Sequence, residues 1–305
     1  MDIQTLFALA LQFQKTKPND LYQLLSVIDY TDISSISDLK TAIESIGRID
    51  LFPEEKSWNY AVGIDELNNQ NDVKSFSIVS EKYPSHLKAI NNPPIVLHVR
   101  GNVDLLSTIN GIAVVGSRNT SKAGVIIANR IASQAVEKDW VVVSGLALGI
   151  DAAAHSGALS VGKRGATIAV LAHGLETARP VSNKKLGFDI LENGGAWVSE
   201  HAIGVPAHRN HFVPRNRIQL GLSVGSIIVE AEEKSGSITQ AKFCVQQKRP
   251  LFAVVPETPK NPLKLICSGT QMLVAQFGAN PLTSKRDYPD MFDRFERQRM
   301  LMQSL

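Results

Sequence analysis

Apolar positions along this chain keep a helical rhythm at first and a strand-and-helix rhythm later. Through about the first seventy residues they recur at helical spacing, in TLFALALQF, LYQLLSVI and SDLKTAIESI, with Ser37 placed to cap the third run. That spacing predicts a small helical domain over residues 1–72. The polar LNNQNDVKS reads as a linker, and the proline-rich EKYPSHLKAINNPPIVLHVRGN after it carries one short strand, Ile95 to Val99. From Gly111 onward, apolar blocks of strand length alternate with amphipathic helices: IAVVG, WVVVSG, ATIAVLA, AWVSE, SIIVEA, PLFAVV and QMLVA. These blocks are solid Val, Ile and Ala, without an apolar–polar alternation. Strands of that kind are covered on both faces, as in a parallel sheet with right-handed crossovers. The fold class expected over residues 73–282 is therefore α/β, an extended Rossmann-like, doubly wound and mostly parallel sheet, with a helical tail over 283–305.

Composition narrows the classes without choosing among them. A chain of 305 residues, 44% hydrophobic, is long enough for one large and one small domain. No apolar run approaches the roughly 18 residues that span a bilayer. The start lacks basic residues ahead of its apolar part, so no signal peptide is read and a cytoplasmic location is expected. Two cysteines, Cys244 and Cys267, fit reduced thiols better than a disulfide. A net charge of +3 argues for nucleic acid only if the cations cluster.

They do cluster, at predicted strand ends. In an open parallel sheet, ligands bind beyond the carboxyl ends of the strands. The turns there are Gly116-Ser117-Arg118, Ser144-Gly145, AHGLETARPVSNKKL and Ser235-Gly236-Ser237. Glycine lets a phosphate approach backbone N–H groups, and serine adds a donor. Arg118, Lys122, Arg179, Lys184, Lys185, Arg215, Arg217 and Lys234 fall at the same edge. Any one of them suits a solvated surface; their spread over several loops suits a track of phosphates more than one mononucleotide. Few aromatic residues lie near this edge, and Phe212 is the stacking candidate, with a core position as its alternative.

Three sharper motifs are rejected. GALSVGKRG approaches a phosphate loop, but Arg164 replaces the metal-holding hydroxyl and the order runs helix to strand. Asp151 and His155 share a helix face, yet an aspartate at a helix start and a packed histidine explain them. His208 and His211 lack carboxylate or thiol neighbours in sequence for zinc. With no G-x-G-x-x-G after the first strand, no dinucleotide cofactor or metal is expected.

Taken in order, YPSHL, PPIVLHVRG, IAVVGSR, VVSGLALGIDAAAH, TIAVLAHGLETARPVSNKKL, FVPRNRIQLGLS and IIVEAEEKSGSITQA resemble the DNA-processing protein A family, also called Smf, over about residues 80–280. The resemblance implies a non-enzymatic, dimeric single-stranded DNA binder that loads the RecA recombinase during natural transformation. It implies phosphate contacts from Arg118 and Lys185, a pocket shaped by Gly116, Ser117, Ser144, Gly145, Asn183, Ser235, Gly236 and Ser237, and an Arg-Asn-Arg run at Arg215, Asn216 and Arg217. Arg217 keeps a second reading, an internal pair with Glu200 or Glu230. The chain departs from the family at Arg179 (usually tyrosine), Ala172, Pro256-Glu257 and Leu148, and no winged-helix segment follows the core. The alternative is a nucleotide sensor or nucleotide hydrolase of the wider phosphoribohydrolase group. Glu230 and Glu232 sustain it, although EEKSGSIT lacks that group's Pro-Gly-Gly-x-Gly-Thr segment.

Overall fold

The computed structural model describes residues 1–304. Four helices come first: α1 (Ile3–Phe13), α2 (Pro18–Val27), α3 (Ile36–Ser45) and α4 (Glu55–Gln70). The third is capped by Ser35 and not by Ser37: the Ser35 hydroxyl accepts from Asp38 N–H while the Asp38 carboxylate takes the Ser35 N–H. The expected linker is absent. Helix α4 runs to Gln70, and β1 (Val73–Ser77) begins three residues later. The segment reads as polar because α4 ends on an exposed turn.

Among the described residues nine strands form one sheet, in the order β1-β2-β6-β5-β4-β3-β7-β8-β9. The first two, β1 and β2 (Val96–Gly101), are antiparallel, and β2 also joins β6 antiparallel. A short α5 (Ser85–Lys88) lies between them. All remaining pairings are parallel: β3 (Gly111–Val115), β4 (Val141–Ser144), β5 (Thr167–Val170), β6 (Ala196–Ser199), β7 (Ser226–Ile228), β8 (Leu251–Val254) and β9 (Asn280–Leu282). Their connections hold α6 (Lys122–Glu137), α7 (Ile150–Ser160), α8 (Lys184–Glu192), α9 (Arg209–Gly221), α10 (Gly236–Gln246) and α11 (Ser268–Phe277), and α12 (Tyr288–Gln303) closes the chain. The doubly wound expectation holds. QMLVA, however, lies inside α11, which Gly278 ends in a left-handed conformation; the strand at that place is β9. A short apolar run cannot by itself separate a buried strand from a buried helix.

Both sheet faces are covered, which is why the strands are solid apolar blocks. Ile112, Val114 and Val142 meet Ile131, Ala132 and Ala135 of α6, Ala154 of α7 and Phe295 of α12 on one face. On the other, Val143, Ile168 and Val170 join Ile218 of α9 in a core continuous with Phe7, Leu11 and Leu25 of the leading helices. Two histidines are sealed into this framework. His98 shares a 2.6 Å hydrogen bond between Nδ1 and Ser75 Oγ, and His155 a 2.7 Å one with Thr167 Oγ1. Burial pushes each imidazole down to about 3. As pH falls below about 6.5 the unfolded chain takes up these protons before the folded one does. Stability is thus complete above that pH and lost between it and about 3. At pH 5 each histidine should cost roughly 2 kcal/mol. Urea unfolding at pH 7 and pH 5 checks this, with His155→Asn expected to lose its share of the pH dependence.

Candidate functional site

Strands β3 to β6 step one way across the sheet and β7 to β9 the other, so the order reverses between β3 and β7. A crevice must open beyond their carboxyl ends, because the following helices leave on opposite faces. It is there, as a recess of about 390 Å³. One wall is the turn after β3, Gly116 to Asn119. The facing wall is Lys234 to Ser237, and Phe212, Asn216 and Gln219 of α9 close the back. The first turn of α10 borders the recess with its free N–H groups and positive dipole end, and Ser235 caps it by accepting from Ser237 N–H. Asn216 donates to Gly236 O at 3.2 Å, tying α9 to that turn.

Arg118 is exposed at the mouth, its guanidinium 4.9 Å from the centre of the Phe212 ring. The pair divides the recess from a second cleft, also about 390 Å³ and mostly apolar, lined by Leu148, Arg179, Pro180, Val181 and Ala207. The turn after β4 passes directly beneath Arg118. Gly149 permits this, with φ of 80° and no Cβ to strike the Ser117 and Arg118 carbonyls, and Ile150 N–H donates to Ser117 O at 3.1 Å.

Several residues expected at the rim are used inside it. Ser144 is fully buried and donates to Val114 O at 2.7 Å, so it does not reach the recess. Asn183 holds the β4 turn by donating to Leu146 O and Ala147 O at 2.9 and 3.0 Å. Arg215 lines the floor but is 5% exposed, donating to Gly145 O at 3.0 Å and to Val170 O. Burial pushes its guanidinium down to about 10, against the pull of Asp151. Gly145 is needed there because a Cβ would collide with that guanidinium. Asp151 accepts from Gly145 N–H and Ala147 N–H at 3.1 and 3.4 Å; burial raises its carboxyl above the usual range, opposed by Arg215.

The two readings of Arg217 resolve toward the internal one. Its guanidinium meets Glu200 in a two-pronged pair at 2.6 and 2.7 Å and donates to Asn92 O at 2.7 Å, and it lines neither cleft. Lys185 stands on the first turn of α8, beyond β5 on the same edge of the sheet, but outside both clefts. Its side chain is 87% exposed and pairs with Asp189 at 2.8 Å, an ion pair of the kind that contributes little in water. Lys122 and Lys184 are exposed at the starts of α6 and α8. Lys163 of the rejected phosphate-loop pattern caps the end of α6 through Val136 O and Glu137 O.

Sequence reasoning missed Asn119 and Gln219 in the recess, and the part played by Glu230. That glutamate is wholly buried. Its carboxylate accepts from Ser121 N–H at 3.0 Å, Ser121 Oγ at 2.7 Å and Ile266 N–H at 2.9 Å. In a nucleotide-binding sheet, the start of the helix after the first parallel strand is where a phosphate goes. Here Glu230 already occupies the start of α6. Of the two carboxylates behind the hydrolase reading, Glu230 is spent on structure, whereas Glu232 is exposed and lines the recess.

The crevice at the switch point, bordered by Arg118, Lys234 and the start of α10, is that of a Rossmann-like protein. The family model for DNA recombination-mediator protein A matches residues 74–293, and the chain belongs to that family. It is 40% identical over 213 residues to the DNA processing protein DprA of Streptococcus pneumoniae, covering 70% of this chain and 72% of that one. It is 37% identical over 208 residues to DprA of Bacillus subtilis, covering 67% and 69%. The X-ray structure of the pneumococcal protein superposes with a TM-score of 0.72 at 30% identity, over 94% of this chain and 97% of that one. The Helicobacter pylori DprA structure, described for its single-stranded DNA binding mode, gives 0.63 at 26% identity over 72% and 95%. No described helix is long and apolar enough to cross a membrane.

Proposed function

We propose that this recombination-mediator family member binds single-stranded DNA by its phosphates along the carboxyl-end rim of the sheet. The observation that carries the reading is the shared recess: Arg118, Lys234 and the start of α10 face one cavity at the switch point. Gly116, Ser117, Ser235, Gly236 and Ser237 shape that cavity. Arg179 continues the cationic line beside the apolar cleft, and Lys185 extends it along the edge. Phe212 offers the aromatic surface. The H. pylori relative, described for its single-stranded DNA binding mode, supports the class of ligand.

The reading extends to the partners. The chain acts in the cytoplasm as a homodimer, without catalytic turnover, and delivers DNA to the RecA recombinase during natural transformation. The family's description supports the mediator role, and the engagement of Glu230 in three structural hydrogen bonds removes one of the two carboxylates a hydrolase could use. Fluorescence anisotropy with a labelled oligothymidine at several salt concentrations tests the DNA step. The logarithm of affinity should fall linearly with the logarithm of salt, by about 0.7 per phosphate engaged. Duplex of equal length should bind more weakly. Affinity indifferent to salt, or a preference for duplex, contradicts the proposal.

A further inference from the structure

We infer that Glu230 is a positioning residue for DNA binding, an internal anion that stands where a nucleotide phosphate would and thereby fixes the Arg118 turn; the inference rests on the DNA reading above. Glu230 holds this turn from both of its ends. Its backbone carbonyl accepts from Ser117 N–H at 2.8 Å, and its carboxylate takes the N–H and hydroxyl of Ser121. Arg118 lies between these two anchors. The same carboxylate takes Ile266 N–H from the segment preceding α11, so it ties together three stretches that are distant in sequence.

The local chemistry is that of a capping box whose acidic member comes from the loop after β7. Ser121 Oγ accepts Gly124 N–H at 2.9 Å, in the usual manner of a helix cap. The return bond to the cap residue's N–H normally comes from a glutamate three residues on. Gly124 stands there instead, and a Cβ on it would collide with the Glu230 carboxylate. At Gly116 a Cβ would crowd the Glu230 carbonyl. Gly124 thus makes room for the buried carboxylate that Ser121 grips, and Gly116 for the backbone carbonyl of the same residue; the carboxylate also sits favourably at the positive end of α6. A negative charge beneath an anion-binding rim opposes the ligand's own charge, and its retention makes sense if it orders the cation that meets the ligand.

Glu230→Gln keeps the shape but replaces one accepting oxygen with a donor, which must then face Ser121 N–H or Ile266 N–H. Single-stranded DNA affinity should fall by about as much as in Arg118→Ala, roughly ten- to a hundredfold, with the salt slope reduced by about 0.7. In the Glu230→Gln background Arg118→Ala should add almost nothing, whereas Lys185→Ala should subtract as much as it does alone. Ser121→Ala, a milder change, should give a smaller loss with the same non-additivity if Glu230→Gln fails to fold. In DNA-free protein, hydrogen exchange should quicken at residues 116–121 while the α7 amides keep their rate. Losses from Glu230→Gln and Arg118→Ala that simply multiply, or unchanged exchange in the turn, overturn the inference. Should Arg118→Ala alone leave binding intact, the DNA reading fails, and the exchange rates still decide whether Glu230 orders the turn.

Discussion

Arg118→Ala should bind single-stranded DNA about ten- to a hundredfold more weakly than the parent chain, the range expected for one charged hydrogen bond to phosphate. The size of the effect follows from its position. Among the cations named from sequence, Arg118 is exposed and borders both clefts, whereas Arg215 and Arg217 are buried. Its present partner is a ring face and not a carboxylate, so exchanging that ring for a phosphate breaks no ion pair. Lys185 must give up Asp189 before it meets DNA. Its alanine variant should therefore cost less than that of Arg118, and the double variant should lower the salt slope by about 0.7 for each phosphate no longer neutralised. Anisotropy titrations at two salt concentrations measure both quantities. A double variant with parental affinity and slope would place the DNA elsewhere.

Arg217→Ala should act on stability. Removing the guanidinium leaves Glu200 largely buried with no cation beside it, which should cost about 3 kcal/mol in urea unfolding. The pH dependence shows the same pair from the other side. Burial raises the Glu200 carboxyl, but the hydrogen bonds and charge of Arg217 outweigh it, and the net shift is downward. That stabilisation is complete above the usual carboxylate range and is lost as pH falls through the lowered value. In Arg217→Ala burial is opposed only by the nearby His201 and His211, so the carboxyl should titrate at a higher pH and acid unfolding should begin earlier. The salt slope for DNA should stay that of the parent chain, because Arg217 lines neither cleft. A lowered slope in a stable Arg217→Ala protein would return Arg217 to the DNA-binding set.

The fold was legible because burial on both faces writes itself into the strands. Gly111–Val115 and Val141–Ser144 are buried throughout, and no polar residue interrupts their apolar runs before Ser144. The short strands were harder. β1, at the sheet edge, reads VKSFS, with an exposed lysine and two serines that α1 and α4 bury by packing over the strand. β9 has three residues including a proline, admissible on an edge strand but invisible as a pattern.

The site was legible in part for a similar reason. Glycine–serine turns and nearby cations mark the carboxyl edge, but sequence does not say which arginines point outward. Arg215 and Arg217 stand two residues apart on α9, and both turn inward to partners more than fifteen residues away in sequence, Gly145 and Val170 for one and Glu200 for the other. From sequence, Glu230 reads as a candidate partner of Arg217 or as support for a hydrolase. Its actual partners, Ser121 and Ile266, lie 109 and 36 residues away, and no local pattern joins them to it.

Hydrogen exchange with and without saturating oligothymidine tests the central claim most directly, because it locates the ligand without altering any residue. DNA should slow exchange in the turns at 116–120, 146–149 and 233–238, with the first turn of α8 following, and leave α12 and the leading helices α1–α4 unchanged. Protection confined to α12, to the leading helices or to the opposite edge of the sheet would contradict the account.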